Sequence, residues 1–211
     1  MANTLSPEDH ARITRAIRAA EARTSGEIVC VLARSSDDYF YPAAFMLSVG
    51  MLVASLAGAL LLDWWWLSIR LWHFVLVQGL ALAAALGLLA LLPPLRIHLV
   101  PRRLRYRRAH RNAVSQFLAS DIHMTADHTG VLIFLSLAER YAEVVADAGI
   151  NARVPQERWN EIVAGLVAHA AEARLVEGFE GAIAAAGALL EKEFPRGTGD
   201  RNELDDRLVE I

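Results

Sequence analysis

The chain has 211 residues, 55% of them apolar and 21% charged, with a formal net charge of −3 and a single cysteine. That length suits one domain, or a small domain with a membrane element, and a charge deficit concentrated in one block favours the second. One cysteine excludes an intramolecular disulfide, and the opening MANTLSPEDHARI lacks the basic and apolar regions of a secretory signal, so the first segment is expected to stay inside the cell.

Ser6 followed by Pro7 and Asp9 reads as a helix start, and Ile13, Ala16, Ile17 and Ala20 give that helix one apolar face. It ends near RTSG. Glu27 to Ala33, EIVCVLA, is a continuous apolar run rich in β-branched residues, as in a buried strand, with Cys30 as a small core residue.

From Ala43 to Leu62 no residue is charged, and Leu71 to Leu92 is interrupted only by His73 and Gln78. Each run holds about 20 residues, which at about 1.5 Å per residue spans a hydrocarbon core of about 30 Å. Neither carries the polar stripe of a core helix, so the two are expected to form a transmembrane hairpin. The stretch between them gathers Trp64, Trp65, Trp66 and Trp72, four of the five tryptophans, as an aromatic belt suited to the headgroup layer.

Arg96, Arg102, Arg103, Arg105, Arg107, Arg108 and Arg111 follow the second helix with no acid between them. Positive residues beside a membrane helix stay cytoplasmic, which places both termini in the cytoplasm of an inner-membrane protein and the Trp tip outside. Anionic lipid headgroups account for the Arg run, so the bilayer is an expected partner and nucleic acid is not.

Tyr106, His110, Ala113, Val114, Phe117 and Leu118 recur at helical spacing and predict a helix over about 101–120. GVLIFLSL (130–137) and RYAEVVADAGI (140–150) read as two strands joined by a turn at Ala138 and Glu139, followed by helices over about 155–173 and 177–193. Strand, helix, strand implies parallel pairing of the first two strands and an antiparallel third, with the hairpin inside the first crossover. The fold expected is α/β, a small mixed sheet flanked by helices, with a transmembrane hairpin inserted after the first strand. Residues 1–41 and 96–195 form the split domain, 42–95 the hairpin, and 196–211 an acidic tail.

Taken in order, TSGEIVCVLA, TGVLIFLSLAERYAEVVADAGI, Trp159, EGFEGAI, EKEFP and NELDD resemble the TPM-domain family, over essentially all of the chain outside 38–100. That family includes chloroplast proteins linked to photosystem II repair, a modulator of acetylcholine receptors and many bacterial membrane proteins. The resemblance implies an α/β sandwich. It also implies either an auxiliary role at membrane complexes or, as described for a plant member, an acid phosphatase activity with divalent metal. Relatives often carry a signal peptide and place the domain outside the cytoplasm, and often have Pro where Asp205 stands here.

Two residue sets carry candidate chemistry. Asp121, His123, Asp127 and His128 are ligand types for zinc or another divalent ion, and equally suit a helix end and a turn. Glu27, Glu139, Arg140, Asp147, Asn202, Glu203 and Asp206 lie in the motifs of the resemblance, where carboxylates at a strand end suit Ca²⁺ or Mg²⁺. Neither a P-loop nor a G-x-S-x-G elbow is present. Ala54, Gly58, Gly79, Ala83 and Gly87 offer small faces for packing the hairpin or a homo-oligomer. The function expected is an auxiliary membrane protein that binds and stabilises or regulates other membrane proteins. The alternative is a metal-dependent phosphatase at the membrane surface.

Overall fold

The computed structural model describes residues 5–66, 70–125, 128–197 and 204–211. They fall into two compact units, one of residues 1–36 and 106–211 and the other of residues 37–105.

The first unit is built on β1 (Glu27–Ala33), β2 (Gly130–Ser136), β3 (Tyr141–Ala146) and β4 (Leu208–Glu210), in the order β3-β2-β1-β4. β1 runs parallel to β2 with Glu27 opposite Gly130, and parallel to β4 with Cys30 opposite Leu208; β3 is antiparallel to β2. β1 and β2 are buried along their whole length, which is why both read as unbroken apolar runs. β3 alternates between buried and half-buried positions, because only one of its faces meets a full layer.

One face of the sheet presents Ile28, Cys30, Leu32, Val131, Ile133 and Leu135 to a core shared with three helices. They are α1 (Pro7–Glu21), α7 (Gln156–Ala171) and α8 (Leu175–Glu193). α1 opens on a capping box in which Ser6 Oγ accepts from Asp9 N at 3.2 Å and Asp9 Oδ2 accepts from Ser6 N at 3.1 Å. α8 approaches α1 so closely that a Cβ on Gly187 would lie 2.7 Å from Ala20 Cβ, so this crossing needs glycine. The other face presents Val29, Val31, Leu132 and Phe134 to Ala113 and Phe117 of α5 (Arg102–Ala119). Burial keeps the Cys30 thiol protonated, as suits a core residue.

Three elements depart from the sequence expectation. The third strand stops at Ala146, because the Asp147 carboxylate accepts from Ala148 N at 2.6 Å and caps the short helix α6 (Ala148–Asn151). The tail belongs to the first unit, since β4 extends the sheet, with Ile211 N donating to Leu32 O and Arg34 N donating to Ile211 O. Three residues carry too little periodicity to announce a strand. The third departure is the helix α4 (Pro93–Leu99), which widens the second unit to 37–105 from the expected 42–95.

That unit contains α2 (Phe40–Trp64) and α3 (Leu71–Leu91), both long and apolar enough to cross a membrane, with mean hydropathy 2.3 and 2.4. Their apolar side chains face outward, and Trp64, Trp65, Trp66 and Trp72 are all exposed. A Cβ on Gly50, Gly58, Gly79 or Gly87 would touch nothing, so these small positions are not what packs α2 on α3. The base of the hairpin is closed by Tyr39, Ala43, Leu89 and Val100. The nearly buried Arg96 donates to Leu89 O at 3.0 Å and Ala90 O at 2.9 Å, pairs with Asp38 and lies over the Phe40 ring. One guanidinium thereby satisfies carbonyls at the end of α3 and ties the exit of the hairpin to its entry.

Candidate functional site

The parallel strands give the sheet two ends, and the predicted acids divide between them. Glu27 starts β1, and Asp147 lies at the same end, its N–H donating to Gly130 O at 3.0 Å. Glu139 and Arg140 lie in the β2–β3 turn at the opposite end, about 20 Å away by the length of a seven-residue strand. Asn202, Glu203 and Asp127 lie outside the described residues.

At the Glu27 end the turn between α1 and β1 is tied to the end of α8. Thr24 Oγ1 donates to Phe194 O at 2.6 Å, Ser25 N donates to the same carbonyl, and Gly26 N donates to Thr24 Oγ1 at 3.0 Å. This fixes Glu27 as a nearly buried carboxylate, 6% exposed, at the edge of a cavity of ≈ 120 Å³. Arg18, Glu21, Thr24, Arg196 and Asp206 line the rest, with Ala22. Glu21 Oε1 accepts from Ile28 N at 2.8 Å, and Asp206 Oδ2 accepts from Arg18 Nε at 2.9 Å. Arg196 donates to Ala22 O at 3.3 Å.

Three carboxyls at close quarters cannot all ionise at ordinary cost. The Glu21 carboxyl is pushed up to about 8, chiefly by burial; the Ile28 N–H opposes the shift, while the charges of Glu27 and Asp206 add to it. Glu21 therefore carries a proton at neutral pH. It was not legible as a site residue, because in the sequence it is merely the last turn of an amphipathic helix. Its only signal is a carboxylate six residues before Glu27, across a turn that folds the two together.

Does this cavity fit a divalent cation? Its acids are the right hard oxygens, but Glu21 holds a proton and Arg18 already occupies Asp206. Among the described residues no three His, Cys, Asp or Glu side chains are placed to hold an ion. As it stands the cavity fits a proton and two guanidiniums better than a metal.

The loop set is likewise dispersed. Asp121 takes a left-handed conformation, φ 52°, as α5 gives way to a short 3₁₀ turn over Ile122–Met124. His128 meets Asp147 instead, Nδ1 to Oδ2 at 3.1 Å, so this carboxylate serves a helix cap and a histidine together. His123 Nδ1 is buried and bonded to no described group. The loop is held from below by Gly130, where an added Cβ would lie 2.7 Å from Ile122 O.

At the opposite end Glu139 is a buried anchor. Its carboxylate accepts from Ser36 N at 2.9 Å, Ser35 Oγ at 3.4 Å and Ser136 Oγ, binding the segment that leaves β1 to the turn after β2. Arg140 beside it is exposed on a left-handed backbone, φ 52°. On the sheet face that α5 covers only in part, Glu143 accepts from Tyr141 Oη at 2.9 Å and meets His110 Nδ1 at the same distance. Burial, followed by the charge of Glu143, keeps the Tyr141 phenol protonated.

No family model matches the chain, and no curated protein sequence matches it. Among solved structures it is similar to the BA42 protein from the psychrophilic bacterium Bizionia argentinensis sp. nov., determined by NMR. The TM-score is 0.62 at 19% identity, covering 100% of this chain and 98% of that one, a likeness of fold.

Proposed function

We propose that this chain is an integral inner-membrane auxiliary protein, anchored by α2 and α3 with both termini cytoplasmic, whose TPM-like domain binds and stabilises or regulates other membrane proteins. The observation that carries this reading is an outward-facing apolar hairpin of membrane length inserted between two strands that pair with each other. An anchor of this kind is part of the domain's own connectivity, unlike a tether at one end. The Arg-rich start of α5 supports the orientation. A reporter fused after Arg111 is expected to read cytoplasmic and one inserted after Trp66 external; the reverse pattern overturns the orientation.

A second reading, a metal-dependent phosphatase using Ca²⁺ or Mg²⁺, is favoured by the convergence of Glu21, Glu27 and Asp206 on one cavity. A cation there would have to displace the Glu21 proton and compete with Arg18 for Asp206, whereas Asp147 already caps α6. The membrane-embedded protein, assayed with Mg²⁺, Mn²⁺ or Ca²⁺, is therefore expected to hydrolyse no phosphate ester in a manner that depends on Asp147 or Glu27. Mild cross-linking in its native membrane is expected to join it to other membrane proteins. Metal-stimulated turnover abolished by Glu27→Gln with the thermal melt unchanged establishes the enzyme instead.

A further inference from the structure

We propose that the cavity between the β2–β3 turn and the end of α7 binds a small amphipathic carboxylate. Its apolar body would lie on Leu135, Leu137, Val167 and Ala170, and its carboxylate on the Arg140 guanidinium. The proposal stands apart from the auxiliary-protein reading and draws on the other end of the sheet from the acidic cavity.

The cavity measures ≈ 340 Å³ and is lined by Leu135, Ser136, Leu137, Arg140, Val167, Ala170 and Ala171. Small-molecule sites occupy about 300–1,000 Å³, are mostly apolar and hold a few placed polar groups. This one opens at the C-terminal ends of the parallel strands β1 and β2, the side on which α/β sheets bind their ligands.

Arg140 is the one charged residue in that lining, and it fixes the class of ligand. Its guanidinium forms no hydrogen bond or ion pair with any described residue. The neighbouring carboxylate, Glu139, is 2% exposed and engaged by Ser35, Ser36 and Ser136. Backbone geometry does not explain the residue either, since a left-handed turn position favours glycine and Arg140 occupies it at φ 52°. The lining also includes Ala170 and Ala171 at the carbonyl end of α7, a place that favours a cation. A planar fork of donors in the lining of a mainly apolar cavity matches a carboxylate on an apolar body, which it can grip with two parallel hydrogen bonds. A neutral apolar ligand would leave the guanidinium unused, and a cationic one would be repelled.

The test uses the full chain in nanodiscs of zwitterionic lipid, with empty nanodiscs as the reference for partitioning. The probes are 4-phenylbutyrate and its neutral amide, equal in shape. Binding is followed by titration and by hydrogen exchange. The carboxylate is expected to bind at least tenfold more tightly than the amide and to protect residues 135–141 and 163–171. Arg140→Gln is expected to abolish that preference, Arg140→Lys to restore part of it, and Ala170→Trp to exclude both probes by filling the cavity. Equal binding of the two probes, a preference that survives Arg140→Gln, protection elsewhere in the chain, or no binding at all overturns the proposal. Should the Gln variant fail to fold, the Ala170→Trp and amide comparisons decide alone.

Discussion

Replacing Glu21 with Gln is expected to make the protein more stable at alkaline pH and to flatten the decline in stability between about pH 5 and 8. In the folded protein the Glu21 carboxyl sits at about 8, against an ordinary 4.5. Between these values the unfolded chain has released the proton while the folded one keeps it, so stability falls as pH rises. The contribution is complete below about pH 4.5 and lost as pH passes 8. Each tenfold difference in proton affinity between the two states is worth about 1.4 kcal/mol. With solvent screening at a cavity that is partly open, the folded state forgoes on the order of 3 kcal/mol by pH 8. Gln keeps the acceptor for Ile28 N and the volume while removing the ionisable proton. Denaturant melts of wild type and Glu21→Gln at pH 5, 7 and 9 check this: the two should converge at pH 5, with the variant ahead at pH 9. Parallel curves would mean that Glu21 ionises normally and that the three carboxyls do not share one field.

The same group explains where the sequence ran out. β1, β2 and the long helices were legible because burial on both sheet faces, a buried helical stripe, or an unbroken apolar run of membrane length leaves a pattern several residues long. The pairing of β1 with β2 followed from connectivity, since a lone apolar strand has to find a partner. Glu21, by contrast, becomes part of a site only when the RTSG turn folds it against Glu27 and the tail brings Asp206 to Arg18. No local pattern encodes that three-way meeting. Glu139 and Asp147 were visible as acids in strand-end motifs, but the roles they take depend on donors elsewhere in the chain: Ser35 and Ser36 for one, His128 for the other. Residue type alone did not reveal these partners, which the fold supplies from distant segments. β4 escaped notice for a simpler reason. Three residues form it, paired with Cys30, Val31 and Leu32 of β1, and Ile211 just beyond it bonds to Leu32 and Arg34.

These placements also bear on how the domain would work at a membrane. An auxiliary factor needs a body that keeps its shape while its partner changes, and the tie points here are long-range. Arg12 grips Glu180 with two hydrogen bonds, at 3.1 and 2.8 Å, and Glu210 accepts from Leu5 N and meets His10, so both ends of the described chain are held to the same body. On the proposed reading, the outward-facing apolar hairpin is the surface offered to other membrane proteins.

A large change in behaviour is expected from removing the hairpin. If residues 37–101 are replaced by a short flexible linker, the remaining chain should be soluble without detergent and should melt in one cooperative step. The first unit holds its own core, because every residue of the two clusters that sandwich the sheet lies in 1–36 or 106–211. β1 and β2 stay paired through seven aligned positions, and α5 remains to cover Val31 and Phe134. A short flexible linker adds no loop-closure cost of its own over a longer connection, since that cost grows with the logarithm of length. Most of the exposed leucines and tryptophans are carried by the apolar helices, which are long enough to cross a membrane and are removed with the hairpin. Circular dichroism with a sharp thermal transition, and a single monodisperse species by gel filtration, check the outcome. A fragment that is helical but melts without cooperativity would show that Arg96, Asp38 and the packed base of the hairpin are needed to hold β1 in register with β2, and the anchor would then be a structural member of the fold.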